Sequence, residues 1–341
     1  MTRVQPLIVN QFGAFIGKKS ERVRVTVKGE LTEEVPLIKL EQILVVTGGV
    51  SLSSDVIRKC AEAGIPISFV SKSGRPYARI ISSGLTGTVK TRREQLLAYA
   101  DGRGVTLGKA FAEGKLRNQI NLLKYMAKYR KGRDKELYRQ VREAADEIEA
   151  LVDELGRLDG EDIDALRLQI LNLEGRGGQI YWQAVGKLLR ADVEWPGRKG
   201  RGARDLVNSL LNYGYGILYT QVERAIVLAG LDPYAGFVHV DRPGKPSLVL
   251  DLIEEFRQTA VDRVIFGLLN KGVGLAVDDK GYLTDATRRL VAEKVLGRLE
   301  GEEPYEGRKR KLRTIIQSQA RHIATFVRGE RPSYKPFVGR W

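Results

Sequence analysis

The side chains that could perform metal-assisted chemistry are few in this chain. It contains only two histidines, His239 and His322. A Pro/Gly-containing loop and a short apolar run follow His239, and Asp251 then opens a predicted helix. Residues three or four positions apart share one face of a helix, so Asp251 could act with either Glu254 or Glu255. An imidazole beside two carboxylates would suit Mg²⁺ or Mn²⁺. A helix cap at Asp251 and an ordinary loop histidine would produce the same pattern.

A further acid is needed to complete such a site, and Glu174 stands out among the candidates. It is followed by glycines and then by Tyr181-Trp182, which leaves little side-chain bulk around the carboxylate. The alternative is that Glu174 begins the next helix, where the helix dipole favours an acidic residue. The residues by themselves leave both interpretations open.

Positive charge is concentrated in two stretches of the chain. Its 341 residues include 57 Lys and Arg against 42 Asp and Glu, a formal net charge of +15. One cluster of cations, 308–313, lies at a predicted helix start, where the helix dipole does not favour positive charge. Either cluster could be a solvated surface, but together they favour contact with a nucleic-acid backbone. The other cluster, 197–204, is rich in glycine and lacks acids. It contains the candidate DNA-binding residues Arg198, Lys199, Arg201 and Arg204.

Several classes of protein are made improbable by composition. The only cysteine, Cys60, cannot form an internal disulfide or a cysteine zinc site. No apolar run approaches the roughly 18 residues that span a bilayer, and the N-terminus lacks the pattern of a signal peptide. We therefore expect a cytoplasmic protein with no membrane partner.

The elements that must position these residues change type along the chain. Short apolar or alternating runs between glycines predict strands up to about residue 85, with one helix over 54–63. The predicted fold is α+β and multidomain: a small N-terminal β-sandwich-like domain (1–85), a linker (86–100) and a larger all-α catalytic domain (101–341). Helical spacing predicts helices in that larger domain over 107–129, 134–155, 162–173, 206–231, 251–270, 285–299 and 308–327.

The order of several short motifs resembles that of a known family. Each motif is only moderately specific, but their joint order covers nearly the whole chain. The series resembles the CRISPR-associated integrase/endonuclease of spacer acquisition, the adaptation nuclease common to most CRISPR systems. Its members in chain order are Gly13-Ala14-Phe15, Leu40-Glu41-Gln42-Ile43, Glu174-Gly175, Tyr181-Trp182, Arg204-Asp205, Tyr213-Gly214-Tyr215, the 237–257 segment and Arg340-Trp341.

The resemblance implies a metal-binding role for particular acids. The family holds its divalent metal, Mg²⁺ or Mn²⁺, through a glutamate, a histidine and a second acid. These catalytic and metal-binding positions correspond to Glu174, His239 and Glu254, with Asp251 as a supporting acid. The resemblance thereby favours Glu254 over Glu255, which the spacing could not do. In some relatives the last position is aspartate.

The resemblance also implies contacts with DNA. Lys245 and Arg257 correspond to family positions that hold DNA phosphates. Asn208, Tyr213 and Tyr219 lie in the equivalent stretch of the long predicted helix and are possible further contacts. Packing in the core is an equally good explanation for the two tyrosines.

An activity and a set of partners follow from the same resemblance. If the nucleophile is a 3′-hydroxyl of an incoming DNA fragment, the protein would insert new spacers into a CRISPR array. If the nucleophile is water, the protein would act as an endonuclease. The implied partners are double-stranded DNA (spacer fragment and CRISPR repeat), a second copy of the chain bound through the β domain, and a small companion protein with a ferredoxin-like fold. The rival interpretations are a structure-selective nuclease on branched DNA in repair and a non-catalytic nucleic-acid-binding scaffold.

Overall fold

A computed structural model of the protein describes residues 5–80, 82, 89–190, 192–200 and 202–340. The chain forms two compact units. The first comprises Met1–Gly84, Gly200–Thr220 and Gly274–Leu296, and the second comprises Leu85–Lys199, Gln221–Val273 and Gly297–Trp341. In the part of the chain that is described, no helix is both long and apolar enough to cross a membrane.

Two four-stranded sheets form the N-terminal part of the first unit. The strands are β1 (Gln5–Val9), β2 (Ala14–Lys19), β3 (Arg22–Val27), β4 (Glu30–Pro36), β5 (Leu40–Val45), β6 (Ser51–Leu52), β7 (Ile67–Val70) and β8 (Pro76–Ile80). One sheet has the order β1-β5-β7-β8, in which only the β7–β8 pair is antiparallel. The other has the order β4-β3-β2-β6, in which only the β2–β6 pair is parallel.

Local chemistry explains how these sheets form. In β3, Val23 and Val25 are buried on the face that alternation predicts. Lys28 and Gly29 have φ values of 52° and 87°, the conformation of a two-residue turn that matches strand twist, and they join β3 to β4. A single core contains residues of both sheets and of helix α1 (Ser54–Glu62), including Cys60. This confirms the predicted sandwich-like arrangement.

The rest of the chain is mainly helical, as predicted. Three aspartates, Asp101, Asp134 and Asp162, cap the starts of α3, α4 and α5, the three helices that pack on one another in the second unit. The elements are α2 (Val89–Ala98), α3 (Gly102–Ala127), α4 (Lys135–Arg157), α5 (Ile163–Leu188), α6 (Leu206–Leu228), α7 (Ser247–Ile253), α8 (Arg263–Asn270), α9 (Asp285–Leu299), the strands β9 (Glu302–Tyr305) and β10 (Arg308–Lys311), and α10 (Leu312–Val327).

Two helix predictions are wrong in their bounds, and both concern the site. The helix predicted to end at residue 173 continues through Glu174 to Leu188. It tolerates Gly177 because a Cβ there would approach Leu116 Cδ2 to 2.2 Å, so the glycine allows α3 and α5 to pack closely. The helix predicted over 251–270 is broken instead, with α7 starting at Ser247 and a π-helical turn over Gln258–Asp262 before α8.

The basic cluster 308–311 is also placed differently from the prediction. It forms β10, which pairs antiparallel with β9, and α10 begins only at Leu312. Glu306 and Gly307 make the tight turn with φ values of 45° and 74°. Pairing with the adjacent strand across a two-residue turn therefore overrides the helical spacing, and the helix-dipole argument does not apply to these cations.

The segment expected to be a linker, 86–100, contains an ordered element. Residues 86–88 lie outside the described residues, and α2 covers most of the remainder and packs on α3 and α10. The first unit also recruits two later segments of the chain, which contain most of α6 and α9. Linear domain boundaries at residues 85 and 101 stay a prediction.

Close backbone contact in the first unit yields a stability test. A Cβ on Gly216 of α6 would lie 1.6 Å from the carbonyl oxygen of Gly74. We expect Gly216→Ala to destabilise the protein by about 1–3 kcal/mol or more, because backbone must move. The control is Gly267→Ala in α8, where a Cβ meets nothing within 4 Å. That change should stabilise by up to about 1 kcal/mol. Urea unfolding measures both, and equal shifts would contradict the packing described.

Candidate active site

One largely buried lysine joins the two predicted metal-binding acids. Lys115 of α3 hydrogen-bonds Glu174 of α5, and its Nζ lies 3.1 Å from Oε2 of Glu254, at the end of α7. The three side chains are only 16%, 11% and 5% exposed. The structure therefore brings Glu174 and Glu254, far apart in sequence, to a single cationic position.

The electrostatics of this cluster favour the charged forms of Lys115 and Glu254. Burial acts to lower the pKa of Lys115, but the carboxylates of Glu254 and Glu174 outweigh it and raise the pKa. Burial likewise acts to raise the pKa of Glu254, and the charges of Arg257, Lys115 and His239 together hold it below its ordinary value. Arg257 contributes directly, because its guanidinium lies 3.2 Å from Glu254 Oε1.

His239 is held by Asp251, as a carboxylate–histidine pair. The Nδ1 atom of His239 lies 2.7 Å from Asp251 Oδ1. A buried carboxylate can only accept, so Nδ1 carries a hydrogen and Nε2 is left as the ring nitrogen that could ligate a metal ion. The fully buried Asp251 carboxylate also accepts backbone N–H bonds from Phe237 (2.6 Å), Val238 (3.1 Å) and His239 itself (3.0 Å). Asp251 thus fixes both the loop and the tautomer of its histidine.

The structure shows which of Glu254 and Glu255 faces the acid cluster, a choice that sequence spacing could not make. Glu255 turns away from the acid cluster and accepts hydrogen bonds from Tyr334 Oη (2.6 Å), Gln319 Nε2 (2.8 Å) and the Phe337 backbone N–H (2.8 Å). Both of its carboxylate oxygens are therefore bonded to α10 and the C-terminal segment. The side chain that shares a cation with Glu174 is that of Glu254.

The donor set has the chemistry for a hard divalent cation. Two carboxylates and an imidazole nitrogen suit Mg²⁺ or Mn²⁺. As they stand, no three His, Cys, Asp or Glu side chains within the described ranges converge closely enough to hold a metal ion. The ammonium of Lys115 contacts both carboxylates, so these two oxygens already converge on one cation. Metal binding there requires the ammonium to move.

Comparison with known proteins establishes the family. The family model described as "CRISPR associated protein Cas1" matches residues 7–296. The chain belongs to the Cas1 family. Among curated Cas1 relatives, "CRISPR-associated endonuclease Cas1 1" of Archaeoglobus fulgidus is 38% identical over 98% of this chain and 99% of its own length. The "CRISPR-associated endonuclease Cas1" of Korarchaeum cryptofilum is 32% identical over 99% and 98%.

Solved structures share the fold. A casposase bound to its integration product superposes with a TM-score of 0.83 at 20% identity, covering 97% of this chain and 93% of that one. A Cas1 protein from Thermotoga maritima gives 0.77 at 19% identity, covering 96% and 98%. These likenesses confirm the predicted architecture of an N-terminal β domain followed by a helical domain.

The glycine-rich basic loop of this Cas1 chain is held by contacts of its own. The guanidinium of Arg198 lies over the Trp182 ring at 5.7 Å. That of Arg204 lies over the Tyr282 ring at 5.5 Å and donates to the Lys280 carbonyl. Arg201 lies outside the described residues, and Lys199 is exposed. Arg198 and Arg204 are thus each held against an aromatic ring, and the role of the loop in DNA binding stays a prediction.

The remaining predicted contacts fall in different environments. Lys245 is half-buried beside a small open cleft of about 450 Å³. The amide of Asn208 is buried and donates to Asp205 Oδ2 at 2.9 Å. Tyr213 is fully buried, and burial raises the pKa of its phenol, so it is a core residue. Tyr219 is half-buried.

The second histidine belongs to a different network. His322 of α10 stacks on Tyr305 with a ring separation of 6.3 Å, and its Nδ1 lies 3.2 Å from both Tyr305 Oη and Gln319 Oε1. Burial lowers the pKa of its imidazole. The structure therefore leaves His239 as the histidine beside the acid cluster.

Sequence reasoning missed Lys115, although a signal for it exists. Lys115 lies four positions from Phe111 and four from Gln119, both buried, so helical spacing places it on the inward face of α3. A lysine on an inward face requires a buried counter-charge. That rule would have predicted an acidic cluster around it.

Glu255 generates a pH-dependence of stability. Burial raises its pKa to about 7 from 4.5, so the folded state keeps a proton that the unfolded state has lost. Stability should therefore fall as pH rises from about 4.5 to about 7, by up to about 3 kcal/mol. In Glu255→Gln the neutral amide cannot titrate, and this part of the slope should vanish. Melting between about pH 5 and 8, the window set by these pKa values, checks it. Parallel profiles of the two proteins would refute it.

Proposed function

We propose that this chain is a divalent-metal-dependent DNA endonuclease and strand transferase that inserts new spacers into a CRISPR array. The observation that supports it best is the meeting of Glu174 and Glu254 at one cationic position, beside a histidine held by Asp251. The curated Cas1 relatives are named as endonucleases, and a casposase of similar fold is described as bound to an integration product.

In this proposal Glu174, His239 and Glu254 hold Mg²⁺ or Mn²⁺. A bound divalent cation would supply a Lewis acid for phosphodiester oxygens at the site. The two carboxylates provide its negative oxygen ligands. Asp251 keeps the Nε2 lone pair of His239 available, because it accepts the hydrogen on Nδ1. Arg257, already paired with Glu254, limits the excess negative charge that DNA would meet.

The substrate step follows from this arrangement. A 3′-hydroxyl of an incoming fragment attacks a phosphodiester at the edge of a CRISPR repeat and forms a new phosphodiester bond. The bond from that phosphorus to the 3′-oxygen of the cut strand breaks, and that strand leaves with a free 3′-hydroxyl. With water as the nucleophile, the same bond breaks and the products are a 5′-phosphate and a 3′-hydroxyl. The basic residues around 198–204, with Lys245, would hold the phosphate backbone. Asn208 and Tyr219 stay possible contacts. No side chain needs to form a covalent intermediate.

The partners are also proposed. A related complex is described as Cas6-RT-Cas1–Cas2, and another related structure as a Cas1–DNA complex. By analogy, this chain would bind double-stranded DNA, pair with a second copy through the β domain, and bind a small ferredoxin-like companion in the cytoplasm. A structure-selective nuclease on branched DNA would use the same side chains, and only the products distinguish the two.

The ligand assignment predicts loss of metal binding and of turnover together. Glu174→Gln, His239→Ala and Glu254→Gln should each abolish strand transfer and cutting while melting cooperatively. His322→Ala, in the separate network, should retain both activities. The assay combines the purified protein, with and without its companion, a short duplex and a repeat-bearing plasmid in Mn²⁺ or Mg²⁺. Calorimetric titration with Mn²⁺ measures binding directly. Joined products support integration, and cut branched substrates alone support the repair nuclease.

Lys115 predicts a metal-dependent difference in stability. In Lys115→Met, two buried carboxylates lose their shared counter-charge, which should cost about 3–5 kcal/mol in chelator. Mn²⁺ should then raise the melting temperature more than in the parent protein, because no ammonium has to be displaced. Differential scanning fluorimetry in chelator and across a Mn²⁺ series measures both effects. An unchanged melting temperature in chelator would show that the lysine does not stabilise the acids.

A further inference from the structure

A concave site lies in the second unit, and none of the acid-cluster residues line it. It is a cleft of about 650 Å³ between the end of α3, the end of α5 and α8. This volume is in the range that holds small organic ligands, about 300–1,000 Å³. Its floor is apolar, with the buried side chains of Leu122, Leu188 and Phe266. Along α3, Tyr125 of the cleft is about 15 Å from Lys115.

The rim of this cleft is positively charged. Its lining includes Arg130, Arg133, Arg190, Arg263 and Lys271, and no acid occurs among the described residues that line it. Two of these charges are offset by acids outside the lining. Asp192 pairs with Arg190 at 2.7 Å, and Glu303 lies 3.8 Å from Arg263. The others make the cleft a site for an anion.

Two tyrosines line the cleft, with their rings roughly perpendicular to each other. Tyr129 is 68% exposed, and its ring lies edge-on to that of Tyr125 at 5.9 Å. The guanidinium of Arg263 covers the Tyr125 ring at 4.8 Å. An exposed aromatic ring beside cations is the combination that stacks unpaired bases and binds their phosphates.

The sequence concentrates this chemistry in one short stretch. Residues 124–133 read KYMAKYRKGR, with cations and tyrosines interleaved and no acid. The turn that follows α3 is ordered, because Arg133 N donates to the Arg130 carbonyl at 2.9 Å and Asp134 N to the same oxygen at 2.8 Å. The cationic side chains therefore project from a fixed backbone.

We propose that this cleft binds an unpaired nucleotide within a single-stranded DNA segment. Its base stacks on Tyr129 against the apolar floor, and its phosphates contact Arg130, Arg133 and Lys271. Paired bases in a duplex are stacked on each other and could not enter, which favours a single strand over the duplex. The inference rests on the proposed function only in taking DNA as the polyanion.

Binding of a short fluorescein-labelled oligothymidylate to the full-length protein tests the proposal. Tyr129→Ala should weaken binding about five- to a hundredfold, the range that base–aromatic stacking supplies, and Tyr129→Phe should restore it. Tyr77→Ala, a change at a similarly exposed tyrosine (61%), is the matched control and should have no effect. Binding to a blunt duplex of equal length should be unchanged by all three substitutions.

The salt dependence of binding tests the proposed phosphate contacts. Arg130→Gln and Arg133→Gln should each lower the slope of log affinity against log salt for the oligothymidylate by about 0.7. An oligonucleotide carrying 5-iododeoxyuridine should cross-link to the peptide that contains Tyr129. Melting curves show that each variant is folded.

Several outcomes would overturn the proposal. Unchanged oligothymidylate affinity in folded Tyr129→Ala, with unchanged salt slopes in the arginine variants, would exclude the cleft as its site. Competition by polyglutamate as effective as by oligothymidylate would show a surface selective only for charge. Thymidine monophosphate binding as tightly as the strand would make the ligand a free nucleotide. Failure of the proposed nuclease activity would look different. The parent protein would bind the oligonucleotide in this cleft but would show no metal-dependent cutting.

Discussion

The candidate active site depends on a buried charge balance around Lys115. Two carboxylates removed from water repel each other, and each loses hydration that the protein must replace. The ammonium satisfies both, but only because α3, α5 and the end of α7 place three side chains within one small volume. Gly177 makes that approach possible, since any larger side chain would meet Leu116 of α3. The charge balance around Lys115 therefore depends on the close packing of α3 against α5.

Consecutive acids after α7 serve different parts of the molecule. Glu254 faces the acid cluster, while Glu255 binds the C-terminal segment through Tyr334 and Phe337. Asn118 of α3 continues this second network, because its amide donates to the carbonyls of Glu255 and Phe337 and accepts from Gly339 N–H. The C-terminal segment is thus fastened to the helix that carries Lys115. Damage to that network would reach the site through backbone position.

Asp251 is the corresponding support for the histidine. One buried carboxylate accepts three backbone N–H groups and the Nδ1 hydrogen of His239, so loop and ring orientation depend on the same atoms. A carboxylate occupied in this way has little capacity left for a metal ion. Its place in the structure is that of a positioning group, which agrees with the supporting role inferred from the resemblance.

The sequence alone determined what local chemistry controls. Alternation of Val23 and Val25 predicted a strand, and the order of the motifs identified the family. Sequence reasoning failed where strand pairing or helix packing outweighs the apolar spacing. The cluster 308–311 became a strand by pairing with β9 across a two-residue turn, and α5 continued past Glu174, with Gly177 packed closely against Leu116 of α3. Equal spacing from Asp251 could not separate Glu254 from Glu255, and Lys115 appeared only as one more cation. Which side chains meet depends on helices far apart in sequence, and tertiary packing alone decides that.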